Sequence, residues 1–435
     1  MKHSLKDLKS GKLIGVKKLK ISEGLTEFPK EILSLSNSLE ILDLSENNLT
    51  ELPSNIVLLK KLRIVFFENN KFTEFPKILA ELPSLTMIGF KSNQIETIPE
   101  NAFPPRLRWL ILTNNNLKRL PKSIGNCKYL QKFPVAGNFI EELPLEMANC
   151  HNLELLRISS NKLKAIPDWL FSLPKLSWIA FGGNPVTNSI HVETKIESYN
   201  WNDFKIDVVL GQGASGVISK AHWISKKKDV AIKVFKGDVT SDGLPEDEMK
   251  ASIAAGKHTN LIPILGKIKN HPESKNGLLM KLITPDFLNL GNPPSLVTCT
   301  RDVFNENASF TLHQVLKISI GMASVAAHLH SKGINHGDLY AHNILINKAS
   351  EILFGDFGAA TFYDVNSKYA QLIERVEVRA FGCLLDDVLK LLEPSEIEHH
   401  VYTDLQNLIQ RCFAVDVKNR PNFSDILLEL SGYSF

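Results

Sequence analysis

The sequence predicts an α/β chain in two parts: a solenoid whose short strands stack into a parallel concave sheet, then a bilobal α+β domain. Three observations predict it. Leucines and one asparagine recur at a fixed interval through positions 1–190. A glycine-rich loop at 211–217 is flanked by β-type runs on both sides. Residues 336–343 then read H-G-D-L-Y-A-H-N, and D-F-G follows at 356–358.

Length and composition set the frame. The 435 residues are 43% apolar and 22% charged, enough for two or three domains with their own cores. Net charge is +3. Residues 1–195 carry 26 Lys and Arg against 19 Asp and Glu, and the remainder 24 against 28. That asymmetry is too weak for nucleic-acid binding and reads as solvated surface. Five scattered cysteines (Cys127, Cys150, Cys299, Cys383, Cys412) form neither a disulfide framework nor zinc-ligand spacing. Cys127 and Cys150, at matching points of adjacent repeats, read as small core residues. The first residues lack an apolar signal region, and no run of 18 apolar residues exists to span a membrane. The expected compartment is the cytoplasm.

The repeat reads L-x-x-L-x-L-x-x-N-x-L-x-x-L-P. One copy is Leu39, Leu42, Leu44, Asn47, Leu49, Leu52, Pro53, and six more start at Leu62, Leu85, Leu107, Leu130, Leu153 and Leu176. A degenerate unit precedes them around Leu19 and Ile21. Asn47, Asn70, Asn93, Asn115, Asn138, Asn161 and Asn184 form a column able to satisfy the backbone where it bends out of each strand. Strand alternation turns the leucines inward and leaves the positions between them on the concave face. One such column is Ile41, Ile64, Met87, Trp109, Lys132, Leu155, Trp178. The next is Asp43, Phe66, Gly89, Ile111, Pro134, Arg157, Ala180. Ile64, Phe66, Met87, Trp109 and Ile111 are therefore expected to form an apolar patch for a protein partner, or a surface covered by the rest of the chain. These residues resemble the leucine-rich-repeat family, in its type with an L-P-x-x-I segment. The resemblance implies one strand per repeat and a protein-interaction role. Residues 191–203 read as a polar linker, and 204–435 as the second domain.

Within that domain, Gly211, Gly213, Gly216 and Val217 spell G-x-G-x-x-G-x-V. A dinucleotide-binding loop uses the same letters but opens a helix. Here the chain continues into a β-like run, a polar turn, and V-A-I-K ending at Lys233. In 336–358, Asp338, Asn343 and Asp356 supply what phosphoryl transfer needs: a carboxylate for the acceptor hydroxyl and two oxygen ligands for Mg²⁺. A helix from about 312 to 331 carries Val315, Ile318, Met322, Val325 and Leu329 at core spacing.

These motifs resemble the protein-kinase family over roughly 204–432. The resemblance implies ATP and Mg²⁺ as cofactors, with the glycines and Val217 over the nucleotide and Ala231 beneath it. Lys233 then pairs with the phosphates and with a helix glutamate. Glu248 is the candidate, with Glu246, nearer the helix start, as the alternative. Met280 falls at the gatekeeper position, and Lys281, Leu282 and Ile283 at the hinge that meets adenine. Asp338 accepts the hydroxyl proton; Asn343 and Asp356 hold the metal. His336 and Phe357 read as packing residues and His342 as a loop histidine with a satisfied ring. Residues 377–382 resemble the family's D-x-W-x-x-G helix start, and Cys412, Asp416, Arg420 and Pro421 its closing helices.

Three departures stand out. Gly337 replaces the arginine that would hold a phosphorylated activation segment, so independence from that phosphorylation is expected. Tyr340 stands where serine/threonine kinases carry lysine. The segment 358–377 is short and lacks A-P-E. The expectation is a serine/threonine protein kinase with the repeats as its interaction module. A catalytically weak kinase-like scaffold and a small-molecule phosphotransferase, which shares H-G-D-x-x-x-x-N, are the alternatives.

Overall fold

The structure is a computed structural model and describes residues 2–187, 190, 195–237 and 239–433. Residues 191–194 of the expected linker lie outside the described residues, as do positions 1 and 188–189 of the first domain and 238 and 434–435 of the second. The chain divides into two compact units, Met1–Leu173 with Asn184–Val186, and Pro174–Gly183 with Thr187–Phe435.

In the first unit a short helix, α1 (Leu5–Lys9), precedes the repeats, and each repeat contributes one three-residue strand: β1 (Lys18–Lys20), β2 (Ile41–Asp43), β3 (Ile64–Phe66), β4 (Met87–Gly89), β5 (Trp109–Ile111), β6 (Lys132–Pro134) and β7 (Leu155–Arg157). They are parallel, in sequence order, with every column in register, such as Ile41 with Ile64 and Ile64 with Met87. The repeat leucines Leu39, Leu42, Leu44, Leu62 and Leu85 are fully buried. Where phenylalanine replaces leucine, the rings of Phe67, Phe72, Phe75 and Phe90 pack at 5.0–5.7 Å between centroids.

The asparagine column does what its position requires. Leu49, Ile95 and Leu117 donate their backbone N–H to the side-chain oxygens of Asn70, Asn115 and Asn138 at 2.9–3.0 Å. The side-chain nitrogens in turn donate to strand-end carbonyls, as Asn115 does to Phe90 and Leu112. Buried backbone groups of an irregular bend thus find partners. The residue before the asparagine is left-handed in all seven repeats: Glu46, Asn69, Ser92, Asn114, Gly137, Ser160 and Gly183, with φ of 52–69°. That sharp reversal turns the chain out of the strand. Pro53, Pro76, Pro121, Pro144 and Pro167 then each precede a short 3₁₀ turn.

The concave columns differ from expectation. Ile64 and Met87 are buried, at 9% and 3% exposure, whereas Phe66, Trp109 and Ile111 are half-buried. Strands lie about 4.8 Å apart, so large side chains in one column cover one another. The Phe66 ring lies across Gly89, and the Lys132 ammonium sits 4.3 Å above the Trp109 ring. Apolar residues on the concave face therefore do not all become open surface.

The second unit has two lobes. The first is a six-stranded sheet built on an antiparallel meander of β10 (Phe204–Gln212), β11 (Gly216–Trp223) and β12 (Lys228–Phe235). β14 (Gly277–Lys281) and β13 (Ile264–Lys269) follow in spatial order, and α2 (Pro245–Ala255) packs beside them. The edge strand β9 (Ser198–Asn200) falls within the expected linker and pairs parallel to β13, Tyr199 opposite Ile268. Its Tyr199 ring packs on Phe204 and Trp223, so this stretch gains apolar contacts that its polar composition hid.

The other lobe is helical: α3 (Leu312–Ser331), α4 (Ala370–Leu389), α5 (His400–Cys412) and α6 (Phe423–Ser431). A reciprocal Thr311–Gln314 capping box starts α3, and its five periodic apolar residues are fully buried. Two small sheets carry the loops of interest. One is β15 (Leu288–Asn289), β17 (Ile344–Ile346) and β18 (Ile352–Phe354); the other is β16 (Ile334–Asn335) with β19 (Thr361–Phe362). Residues 377–382, expected to open a helix, lie inside α4, which begins at Ala370 directly after a short turn. The eighth repeat strand, β8 (Trp178–Ala180), belongs to this second unit.

Candidate active site

Lys233 projects from β12 and forms an ion pair with Glu248 of α2. Both side chains are largely enclosed, at 12% and 3% exposure. Burial pushes the Glu248 carboxyl above its ordinary range; the Lys233 charge opposes this and the nearby Asp356 adds to it. Glu246, the other candidate, is an exposed partner of Lys250 in the first helical turn. Only the residue two positions on faces the sheet, because successive helix residues are turned 100° apart.

Gly211 and Gly213 leave open space where a side chain would stand. At Gly216 a Cβ would lie 2.5 Å from the Val234 carbonyl, so the hairpin closes only on glycine. Gly213 N–H donates to the Gly216 carbonyl at 3.0 Å, which ties the loop across its base. Val217 pairs with Val234, and Ala231 lies opposite Met280 in register. Ala231 and Met280 pack with Phe235, Met249 and Leu278. Ile283 lines a cavity of about 470 Å³ with Lys281, Leu282, Phe287 and Ile320; none of the charged residues of the site lines it.

The loop after β16 holds Asp338 and Asn343. The Asn343 side-chain nitrogen donates to the Asp338 carboxylate at 2.9 Å and to its carbonyl at 3.0 Å. Asp356, after β18, is left-handed (φ 58°) and exposed, and accepts from the Gly358 N–H. Asp356 and Asn343 offer one carboxylate and one amide oxygen. Hard oxygen donors of this kind suit a small divalent cation that completes its shell with phosphate and water oxygens.

The supports are buried. His336 stacks on Phe354 at 4.0 Å and packs against Phe357, and its Nε2 lies 3.1 Å from the Gly355 carbonyl. Glu377 of α4 accepts from the N–H groups of His336 and Gly337 and lies 2.8 Å from His330 Nε2. Burial opposes its charge, but the His330 hydrogen bond and positive charge hold its pKa below the usual carboxylate value. His342 Nδ1 meets Asp302 at 2.7 Å, and its backbone N–H donates to the same carboxylate. Burial lowers the His342 pKa, yet Asp302, with Asp338 and Asp356 behind it, raises it overall.

Sequence reasoning missed Asp302, Thr361 and the role of Trp178. Trp178 was expected in an exposed column; it is 1% exposed and stacks on Tyr340 with centroids 4.5 Å apart. No local pattern joins residues this far apart in the chain.

Comparison with known proteins finds relatives for both parts of the chain. Residues 204–381 match the family model for protein tyrosine and serine/threonine kinases, and residues 38–59 and 106–127 match that for leucine-rich repeats. A relative named "Probable serine/threonine-protein kinase" from Dictyostelium discoideum is 31% identical over 196 residues, 45% of this chain and 11% of its own length. The serine/threonine-protein kinase VIK of Arabidopsis thaliana is 23% identical over 276 residues, 52% of this chain and 59% of its own. Fibroblast growth factor receptor 1 of Pleurodeles waltl is 24% identical over 208 residues, 43% and 25% respectively. The chain thus spans less than two thirds of each of these relatives. Among the described residues no helix is long and apolar enough to cross a membrane. The chain carries a leucine-rich-repeat array followed by a protein-kinase domain.

Proposed function

We propose that this chain is a cytoplasmic serine/threonine protein kinase that uses ATP and Mg²⁺, and that its repeat array selects a protein partner or substrate. The observation that carries the reading is the Lys233–Glu248 ion pair, formed in the same unit as the Asp338–Asn343 hydrogen bond. Kinase catalysis needs the lysine–glutamate pair together with a metal-holding aspartate, the part this reading gives to Asp356, and the hydrogen bond holds the proposed base beside the second metal ligand. The serine/threonine acceptor follows the names of the relatives.

In this reading Lys233, held by Glu248, orients the α- and β-phosphates, while the 211–217 loop closes over them. Asp338 accepts the proton of the acceptor hydroxyl as its oxygen bonds the γ-phosphorus, and the bond from that phosphorus to the β–γ bridging oxygen breaks. Mg²⁺ on Asn343 and Asp356 would offset charge on the phosphates. On the array, the half-buried Phe66, Trp109 and Ile111 keep part of their surface for a partner, beside the buried Ile64 and Met87. The five buried cysteines suit a reducing compartment.

The test is phosphate transfer from ATP by the purified chain, beside Asp338→Asn and Lys233→Met, read by intact mass and peptide mapping. Phosphoserine or phosphothreonine that vanishes in both variants supports the reading. Transfer to aminoglycosides or choline but to no peptide overturns it, as does transfer that both variants retain.

A further inference from the structure

Resting on the phosphotransfer reading, we propose that Pro174–Gly183, the strand of the last repeat, is a built-in positioning element of the kinase site. It ties the catalytic loop to the start of the activation segment, which makes their geometry independent of phosphorylation. Trp178 and Thr361 are its positioning residues.

The contacts converge on both sides of the chemistry. The Trp178 indole N–H donates to the Leu339 carbonyl at 3.0 Å, one residue beyond Asp338. Its ring lies parallel to Tyr340, with 6° between the planes, and Tyr340 stacks in turn on His342. Asn335, just before the loop, donates its side-chain amide to the Ile179 carbonyl at 2.9 Å. Across the small sheet Asn335 pairs with Thr361, five residues after Asp356. The Thr361 hydroxyl oxygen accepts the backbone N–H groups of Phe181 and Gly182 at 3.0 and 3.1 Å. One short strand therefore holds Asn335, Leu339, Tyr340 and Thr361 together.

The same strand accounts for Gly337. This residue is left-handed (φ 72°), and a Cβ there would lie 2.5 Å from the Ile179 carbonyl and 2.8 Å from the Ala359 carbonyl. Neither atom is the end of a flexible side chain, so an arginine at 337 cannot coexist with the seated strand. The residue that would clamp a phosphorylated segment is absent where Ile179 approaches. The far end of the segment is anchored as well: Arg420 donates to the Pro174 carbonyl at 2.8 Å and Arg379 to the Ser177 hydroxyl at 2.7 Å. A merely packed strand would bury apolar area; this one also places hydrogen bonds on the residues flanking Asp338 and Asp356.

The test uses the full chain with Thr361→Val, Thr361→Ser and Trp178→Phe. Amide hydrogen exchange over 335–345 and 356–363 is read together with ATP affinity and the single-turnover transfer rate. Thr361→Val and Trp178→Phe are expected to speed exchange in those two segments and to slow transfer about tenfold, with ATP affinity within twofold of wild type. Thr361→Ser, which keeps the acceptor oxygen, is expected to restore both. Unchanged exchange overturns the proposal, as does a serine variant as impaired as the valine, or a rate loss that only tracks lost ATP affinity. A wild-type chain that transfers no phosphate overturns the kinase reading instead, and the exchange pattern still decides whether the strand holds the loops.

Discussion

Asn343 donates from one nitrogen to both the carboxylate and the carbonyl of Asp338, at 2.9 and 3.0 Å. These two hydrogen bonds hold the carboxylate against its own loop and leave the amide oxygen of Asn343 for the proposed role as metal ligand. The Asp338→Asn variant keeps the shape and removes the proton acceptor. Transfer is expected to fall by about 10²–10⁴-fold with ATP binding retained, checked by single-turnover kinetics and calorimetry.

Glu248→Gln separates the two candidate glutamates. It leaves the Lys233 ammonium largely enclosed without its carboxylate, a change that costs roughly 3–5 kcal/mol when a buried pair is broken. Glu246→Gln touches only an exposed pair and is expected within about 0.5 kcal/mol of wild type. Urea denaturation of both variants measures the contrast, and equal effects would reverse the assignment.

The asparagine column makes its own prediction. Asn115→Ala strands the buried N–H of Ile95 and removes one of the two asparagine donors from each of the Phe90 and Leu112 carbonyls. The array is expected to lose about 1–3 kcal/mol. Asn116→Ala, at a half-buried neighbour whose side chain makes one long contact, serves as the control. Thermal unfolding of the two variants distinguishes a structural column from a surface one.

His342 and Asp302 give a pH dependence. The His342 pKa is raised in the folded chain. Its stabilising contribution is therefore complete below the unfolded value of about 6.5 and is lost as pH rises through the higher folded value. The melting-temperature gap between wild type and Asp302→Asn should be larger at pH 6 than at pH 9. A gap that grows with pH would contradict the direction of the shift.

Much of the site was legible because its chemistry is local. Asp338 and Asn343 sit five residues apart and Lys233 ends a β-type run, so short motifs and the family they resemble pointed to these residues. Glu248 needed the fold, since two glutamates shared one helical turn and only packing tells which side meets the sheet. Asp302 was invisible in the sequence: it lies 40 residues from His342, in a loop with no motif.

The sequence by itself determined the repeat register, the asparagine column, the bend in each repeat and the loop proposed to carry the phosphotransfer groups. Each depends on neighbours within one loop or in the adjacent repeat, about 20–26 residues away, and a fixed repeat length brings those partners together. Tertiary structure alone decided what covers each surface. Alternation says which face a side chain leaves from, not what packs on that face. Ile64 and Met87 were thus placed on the concave side yet are buried. Trp178, in the same column, lies against Tyr340 because an indole donor, an aromatic face and a glycine without a side chain met across 161 residues of chain.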